Sequence, residues 1–334
     1  VMVDEGVVRT DEAGRIDVDG NHAPDGLLGP FQEKEGSYYT VKELWSPVVF
    51  ESIEILNNGP KITLENRYDF INLKDCLFEW KAIEFPTPGS TRTKEILHSS
   101  GTVQGPDIVP HQTGSLSIKA GADWHLSDAL SLTVYDPDGR EIWTWTRSLN
   151  GLRLIPGKIY STLGGAVGAE EDSQHLSVNA AGTRFVFSKA DASLVSVVRE
   201  GQEYSFANGP RSVQGAAQLT KLEHRRDERG YLVTASLTGG LSQLEWLILP
   251  SGWLSLSYSY HATGEHDFLG ISFDYPEAVV RGAKWLGGGP SRVWKNRRAG
   301  TRLGVWESPY KSNVPGRTWD YPHFKGYFAD LNWL

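Results

Sequence analysis

From Val48 onward the chain repeats one pattern: short runs in which every second residue is apolar, separated by turn formers. Ile62, Leu64, Asn66 and Tyr68 alternate with Lys61, Thr63, Glu65 and Arg67. That period of two puts each set on one face of a strand and is incompatible with a helix, whose faces repeat every three to four residues. Residues 77–83, 116–118, 130–134 and 142–145 follow the same habit, with Asn57-Asn58-Gly59 and Pro137-Asp138-Gly139 as turns between strands. Six or seven short strands spaced in this way predict an immunoglobulin-like sandwich over 47–162.

A Gly-rich linker at 163–172 precedes longer apolar runs at 185–187, 194–197, 231–235, 244–249 and 253–260. Asp191, Gly201, the stretch 227–230 and Pro250-Ser251-Gly252 give the hairpin signals between them. Together they predict a second, larger antiparallel sandwich over 173–334. The fold class is therefore all-β, two sandwiches in series. Its 334 residues leave room for about two domains.

Residues 1–46 are of another kind, rich in turns and too poor in apolar residues to fold alone, so they are expected to pack on something else. Asp25-Gly26 and Gly29-Pro30 bracket a short apolar link, Leu27-Leu28. Beyond it Tyr38, Val41 and Leu44-Trp45 recur with helical spacing, Ser37 is placed to cap that helix, and Pro47 ends it.

Charge and cysteine usage narrow the function. A formal charge of −8 gives no basic face for nucleic acid or anionic lipid, whereas a neutral ligand fits it. Cys76 is the one cysteine, which excludes an internal disulfide framework and a Cys-based zinc site. No apolar run reaches the ~20 residues of a membrane span. The first residues lack the basic and apolar regions of a signal peptide.

Three segments carry candidate chemistry. In Trp285-Leu286-Gly287-Gly288-Gly289-Pro290, followed by Trp294 and Arg297, the glycines let the backbone bend and set Trp294 and Arg297 on an exposed loop. An indole stacks on the C–H face of a sugar and a guanidinium binds its hydroxyls, but a structural turn at a domain joint explains the same residues. The aromatic stretch 317–327, with Trp319 and Tyr321, could line a groove or form core with one exposed edge. His261, Glu265, His266 and Asp267 could bind a metal or move a proton, and a polar hairpin tip accounts for them as well. Neither a serine nucleophile elbow nor an HExxH helix occurs.

Taken together, these segments resemble family 2 glycoside hydrolases of the β-galactosidase type. The segments Val3-Asp4-Glu5-Gly6, Arg9-Thr10-Asp11-Glu12-Ala13-Gly14, Asp25-Gly26-Leu27 and Tyr39 with Val41-Lys42-Glu43 look like the end of that family's catalytic barrel. Glu65-Asn66-Arg67-Tyr68-Asp69-Phe70-Ile71-Asn72-Leu73 is similar to a strand of its immunoglobulin-like domain. Gly287-Gly288-Gly289-Pro290 with Trp294 and Arg297 resembles a loop of its C-terminal, galactose-mutarotase-like supersandwich. Arg292 stands where that loop has Glu, and Lys295-Asn296 stand where it has Pro-Asp.

The resemblance implies a barrel tail and connector at 1–46, an immunoglobulin-like domain at 47–162 and an incomplete supersandwich at 173–334. It implies that the catalytic glutamates lie upstream of Val1, so that this chain braces a barrel and is itself inactive. It further implies a carbohydrate ligand, a substrate cleft walled by His22, Asp25, Trp294, Arg297, Trp319 and Tyr321, and an oxygen ligand from Asp25 to a monovalent or divalent cation held mainly by the barrel. The parent would be a retaining hydrolase of β-linked glycans, a homo-oligomer being compatible, in the periplasm, outside the cell or in the cytoplasm of a bacterium. Two rivals remain open. One is a free-standing carbohydrate-binding sandwich; the other is a supersandwich that catalyses by itself, with His261 or His266 as base.

Overall fold

The computed structural model describes residues 7–9, 15–17, 27–28, 32, 34–88, 90, 92, 94–149, 164–213, 215–266, 269–309 and 326–334. They fall into two compact units, Val1–Ile155 with Arg281–Leu334, and Pro156–Val280. The fold is all-β; among the described residues the exceptions are one short α-helix and three 3-10 turns.

The first unit opens with a small antiparallel hairpin, β1 (Val7–Arg9) and β2 (Arg15–Asp17), followed by α1 (Gly36–Leu44). Seven strands then form the sandwich: β3 (Val48–Leu56), β4 (Gly59–Asn66), β5 (Leu77–Glu84), β6 (Ile96–Gln104), β7 (Thr113–Ser117), β8 (Ala129–Tyr135) and β9 (Glu141–Ser148). One sheet has the order β3-β4-β7 and the other β6-β5-β8-β9. This is an immunoglobulin-like arrangement, in which strands exchange sheets so that neighbours in sequence are not always neighbours in space.

Alternation does what the sequence implies. Along β4 the residues Ile62, Leu64 and Asn66 are fully buried while Lys61, Thr63 and Glu65 are not. Their core includes Phe78, Trp80, Leu130, Leu132, Trp143 and Trp145 from the opposite sheet. Truncating Leu64 or Leu132 to Ala would cost about 2–5 kcal/mol, the usual range for a cavity in such a core. Asn66 is polar at a core position because its amide is spoken for. Its Nδ2 donates to the carbonyls of Ile71 (2.9 Å) and Ile108 (2.8 Å), and its Oδ1 accepts from the N–H of Tyr68 (2.9 Å). It ties together the two loops that close this end of the sandwich.

Strand β6 has no counterpart in the sequence reading. Its residues, ILHSSGTVQ, are nowhere fully buried: among the described strands it pairs with β5 alone, at the sheet edge, and Val103 packs against the core from one side.

The second unit contains β10 (Gly168–Glu171), β11 (His175–Ala180), β12 (Thr183–Ser188), β13 (Leu194–Arg199) and β14 (Gln202–Gly209) in one five-stranded antiparallel sheet. After the short β15 (Arg211–Ser212), a four-stranded sheet is built from β16 (Ala217–Asp227), β17 (Gly230–Gly239), β18 (Leu241–Ile248) and β19 (Leu254–Tyr260). A last short strand, β20 (Ile271–Ser272), pairs with β15. The two large sheets share a core around Phe187 and Trp246, whose rings lie 5.4 Å apart. Hairpins fall where the turn signals stand: Asp227 pairs with Gly230 and Arg199 with Gln202.

The strands β21 (Gly282–Gly289) and β22 (Arg302–Pro309) form an antiparallel pair that belongs to the first unit. This differs from the expected grouping of 173–334. The reason lies in contacts that a sequence pattern does not carry: the loop between β21 and β22 is fastened to α1, as described next.

Candidate functional site at the connector helix

Helix α1 carries few residues with strong helix propensity, and no side chain caps its start. Ser37, the expected cap, lies inside the helix, and Glu35 occupies the cap position without a side-chain hydrogen bond. The expected apolar face is not the buried one either. Thr40 is buried, whereas Leu44 and Trp45 are 62% and 80% exposed. The helix is held from one side by polar contacts to the β21–β22 loop.

Those contacts are specific. The Arg297 guanidinium donates to Ser37 Oγ at 3.0 Å. The Thr40 hydroxyl lies 3.0 Å from the carbonyls of both Gly36 and Ala299, so its single proton serves one of them at a time. The N–H of Gly300 donates to Glu43 Oε2 at 2.6 Å, a charge-assisted bond. Gly300 has φ +91°, and a Cβ there would sit 2.6 Å from the Thr40 nitrogen, so both conformation and space demand glycine.

Trp294 and Arg297 are brought together, but not as an open sugar platform. Each donates its N–H to the other's carbonyl, at 3.0 and 2.9 Å, closing a tight turn through Lys295 and Asn296. The Arg297 guanidinium covers the Trp294 ring at 4.3 Å from its centroid. Both residues are half-buried, and burial pulls the Arg297 pKa below its usual value. The exposed loop expected from the sequence is thus a turn folded back on α1, because the cation gains more from the indole and Ser37 than from water.

The glycine triplet also works differently from expectation. Gly287, Gly288 and Gly289 are buried strand residues of β21, not a bend. A Cβ at Gly289 would lie 2.4 Å from the Trp306 ring, and one at Gly287 would lie 3.0 Å from the carbonyl oxygen of Ala329. The Trp306 indole donates to the Gly287 carbonyl at 3.1 Å, and the segment 326–334 pairs along the same strand through Gly288 N–H to Ala329 (2.8 Å) and Leu286 N–H to Trp333 (3.0 Å). The triplet is there for close packing.

On its other side α1 borders an open groove of ≈ 390 Å³. Tyr38, Val41 and Trp45 of the helix region, with Pro47 and Ile142, supply apolar wall. Lys42 and Glu141 line it as an ion pair 2.9 Å long. Lys42 also lies over the Trp143 ring, 6.0 Å from its centroid. The sequence places Trp45 on the helix face and Lys42 in the connector motif, but gives no sign that Lys42 and Glu141 form a pair. They are 99 positions apart, and nothing local signals that they meet.

His22, Asp25, Trp319, Tyr321 and Asp267 lie outside the described residues. His261, Glu265 and His266 are exposed beyond the end of β19, and His266 Nε2 is 2.9 Å from the Thr263 carbonyl. Among the described residues no group of three His, Cys, Asp or Glu side chains is arranged to hold a metal ion. No helix among them is long and apolar enough to cross a membrane. No protein-family model matches the chain, and no curated protein matches it.

Proposed function

We propose that this chain is the non-catalytic, carbohydrate-handling accessory part of a retaining family 2-type glycoside hydrolase. One observation carries the reading. The connector segment around α1 and the Gly-Gly-Gly-Pro loop, two segments of the resemblance set apart by most of the sequence, contact each other through Arg297–Ser37, Thr40–Ala299 and Gly300–Glu43. A connector braced by its own C-terminal segment is what a part that stiffens a neighbouring barrel needs. In this reading the parent cleaves β-linked glycans through a glycosyl-enzyme intermediate with two carboxyl groups about 5–5.5 Å apart.

Two carboxylates beside α1 are already engaged, which favours a bracing role over catalysis. Glu43 accepts the Gly300 N–H and Glu141 is paired with Lys42. The purified chain should therefore not hydrolyse 4-nitrophenyl β-galactoside or β-glucuronide. Turnover that disappears in Glu43→Gln or Glu141→Gln would overturn the reading. The reading frame that encodes the chain should also encode a barrel with two glutamates at strand ends.

A free-standing glycan-binding protein is the second reading, favoured by the 80% exposure of Trp45. A native polypeptide of 37.0 kDa in the producing cells would select it.

A further inference from the structure

We propose that the groove beside α1 is a glycan-binding site that takes one or two pyranose units, stacked on Trp45 and hydrogen-bonded to the Lys42–Glu141 pair. The proposal concerns binding alone and does not depend on the chain belonging to a glycosidase.

The groove's size comes first. At ≈ 390 Å³ it falls at the lower end of the range for small-ligand sites, about 300–1,000 Å³. An α-helix, about 10–12 Å across, asks for a longer trough. The chemistry of the wall is mixed in a particular way. Trp45 leaves 80% of its surface in water, an unusual exposure for an indole. Val41, Pro47 and Ile142 extend the apolar surface around it. Tyr38 faces the same space, with the Lys34 ammonium 4.9 Å from its ring centroid.

The ion pair then selects among ligands. Lys42 Nζ donates and Glu141 Oε1 accepts, 2.9 Å apart. Two neighbouring hydroxyls of a sugar ring present an acceptor and a donor at similar spacing, so each partner can share its bond with the ligand. A pyranose joins that polar rim to an apolar C–H face of the right shape for an indole. A proline-rich peptide also fits aromatic grooves, but it offers acceptors and almost no N–H, which leaves Glu141 unserved. A free anion is disfavoured by Glu141 itself. A neutral polyol is also the ligand class that suits a chain of net charge −8.

The test is a titration of the purified chain with lactose, cellobiose, xylobiose, chitobiose and mannobiose, followed by calorimetry and tryptophan fluorescence. At least one disaccharide should bind saturably. Its affinity should fall about tenfold or more in Trp45→Ala and several-fold in Glu141→Gln. Trp45 is so exposed that its removal should leave the melting temperature unchanged, which keeps the loss interpretable. Tyr258→Ala, an exposed aromatic on β19, should bind as the parent does. Failure of all five sugars, full binding by Trp45→Ala, loss of binding in Tyr258→Ala, or saturable binding of decaproline in place of the sugars would each overturn the proposal.

Discussion

Single residues decide how α1 is fixed: Tyr39 packs against the sandwich core, and polar residues tie the helix to the 297–300 turn. Arg297 bonds Ser37 and covers Trp294, so Arg297→Ala should destabilise the first unit by about 1–2 kcal/mol, the sum of a partly buried cation–π contact and one charged hydrogen bond. A double-mutant cycle with Ser37→Ala should show coupling of about 1 kcal/mol in guanidinium unfolding. Lys295→Ala, at the exposed tip of the same turn, should be neutral within about 0.5 kcal/mol. Gly300→Ala should be the more damaging change, about 2–3 kcal/mol, because it combines a left-handed φ with a contact at 2.6 Å to the Thr40 backbone. Sequence alone put Trp294 and Arg297 on one loop and left open whether they face a ligand or form a structural turn; it gave no sign that the two touch. Whether a cation on a loop turns outward or folds onto an indole depends on what stands behind the loop. Here that is Ser37, some 260 positions away.

At the scale of elements, the segment between β4 and β5 sets the alkaline limit of the first sandwich. Burial pushes the Tyr68 hydroxyl up to about 12 from its ordinary value of 10.0, with the nearby Cys76 and Asp136 adding to it and Arg140 opposing. Burial likewise pushes the Cys76 thiol up to about 11 from 9.0, with Asp136 and Asp75 adding. Both groups hold their protons more tightly when folded. Their contribution is fully present below pH 9.0 and is lost as pH rises through the folded values, so unfolding free energy should fall between pH 9.0 and about 12. The Tyr68 hydroxyl is buried without a hydrogen-bond partner among the described residues. Tyr68→Phe should therefore be neutral or stabilising by about 1 kcal/mol at pH 8, and should flatten the alkaline slope measured by chemical denaturation. Native Cys76, fully buried, should resist a thiol reagent at pH 8 and react once the sandwich is unfolded. Strands of this kind were legible because a half-buried strand must alternate. Strand β6 was not, since this edge strand has no fully buried residue and packs only Val103 against the core, so it is held chiefly by backbone bonds to β5 that a polar sequence can make.

For the whole molecule, the division into units follows tertiary docking more than sequence order. Turn spacing located both sandwiches. It could not show that β21 and β22 return to the first unit, because a hairpin of apolar and glycine residues looks alike wherever it docks. What ties it there are the bonds from the 297–300 turn to Ser37, Thr40 and Glu43, none of which has a local signature. The groove followed the same rule, since Lys42 and Glu141 acquire meaning only when β9 and α1 meet. This yields a test of the division itself. The first sandwich keeps its core, from Val48 to Leu149, when residues 281–334 are removed, because none of them contributes to it. Helix α1 loses its bonds to the 297–300 turn and keeps Tyr39 on the sandwich core and the Lys42–Glu141 pair, thin support for a helix of nine residues. Deletion of 281–334 should leave a folded immunoglobulin-like sandwich in which the amide of Trp45, bonded to Val41 in the intact chain, exchanges with solvent at least about tenfold faster. The amides of β4 and β8 should keep their protection in the same hydrogen-exchange experiment. Loss of protection in those two strands would show that the sandwich needs the C-terminal segment for its own fold; unchanged protection at Trp45 would show that α1 is held by something other than the 297–300 turn.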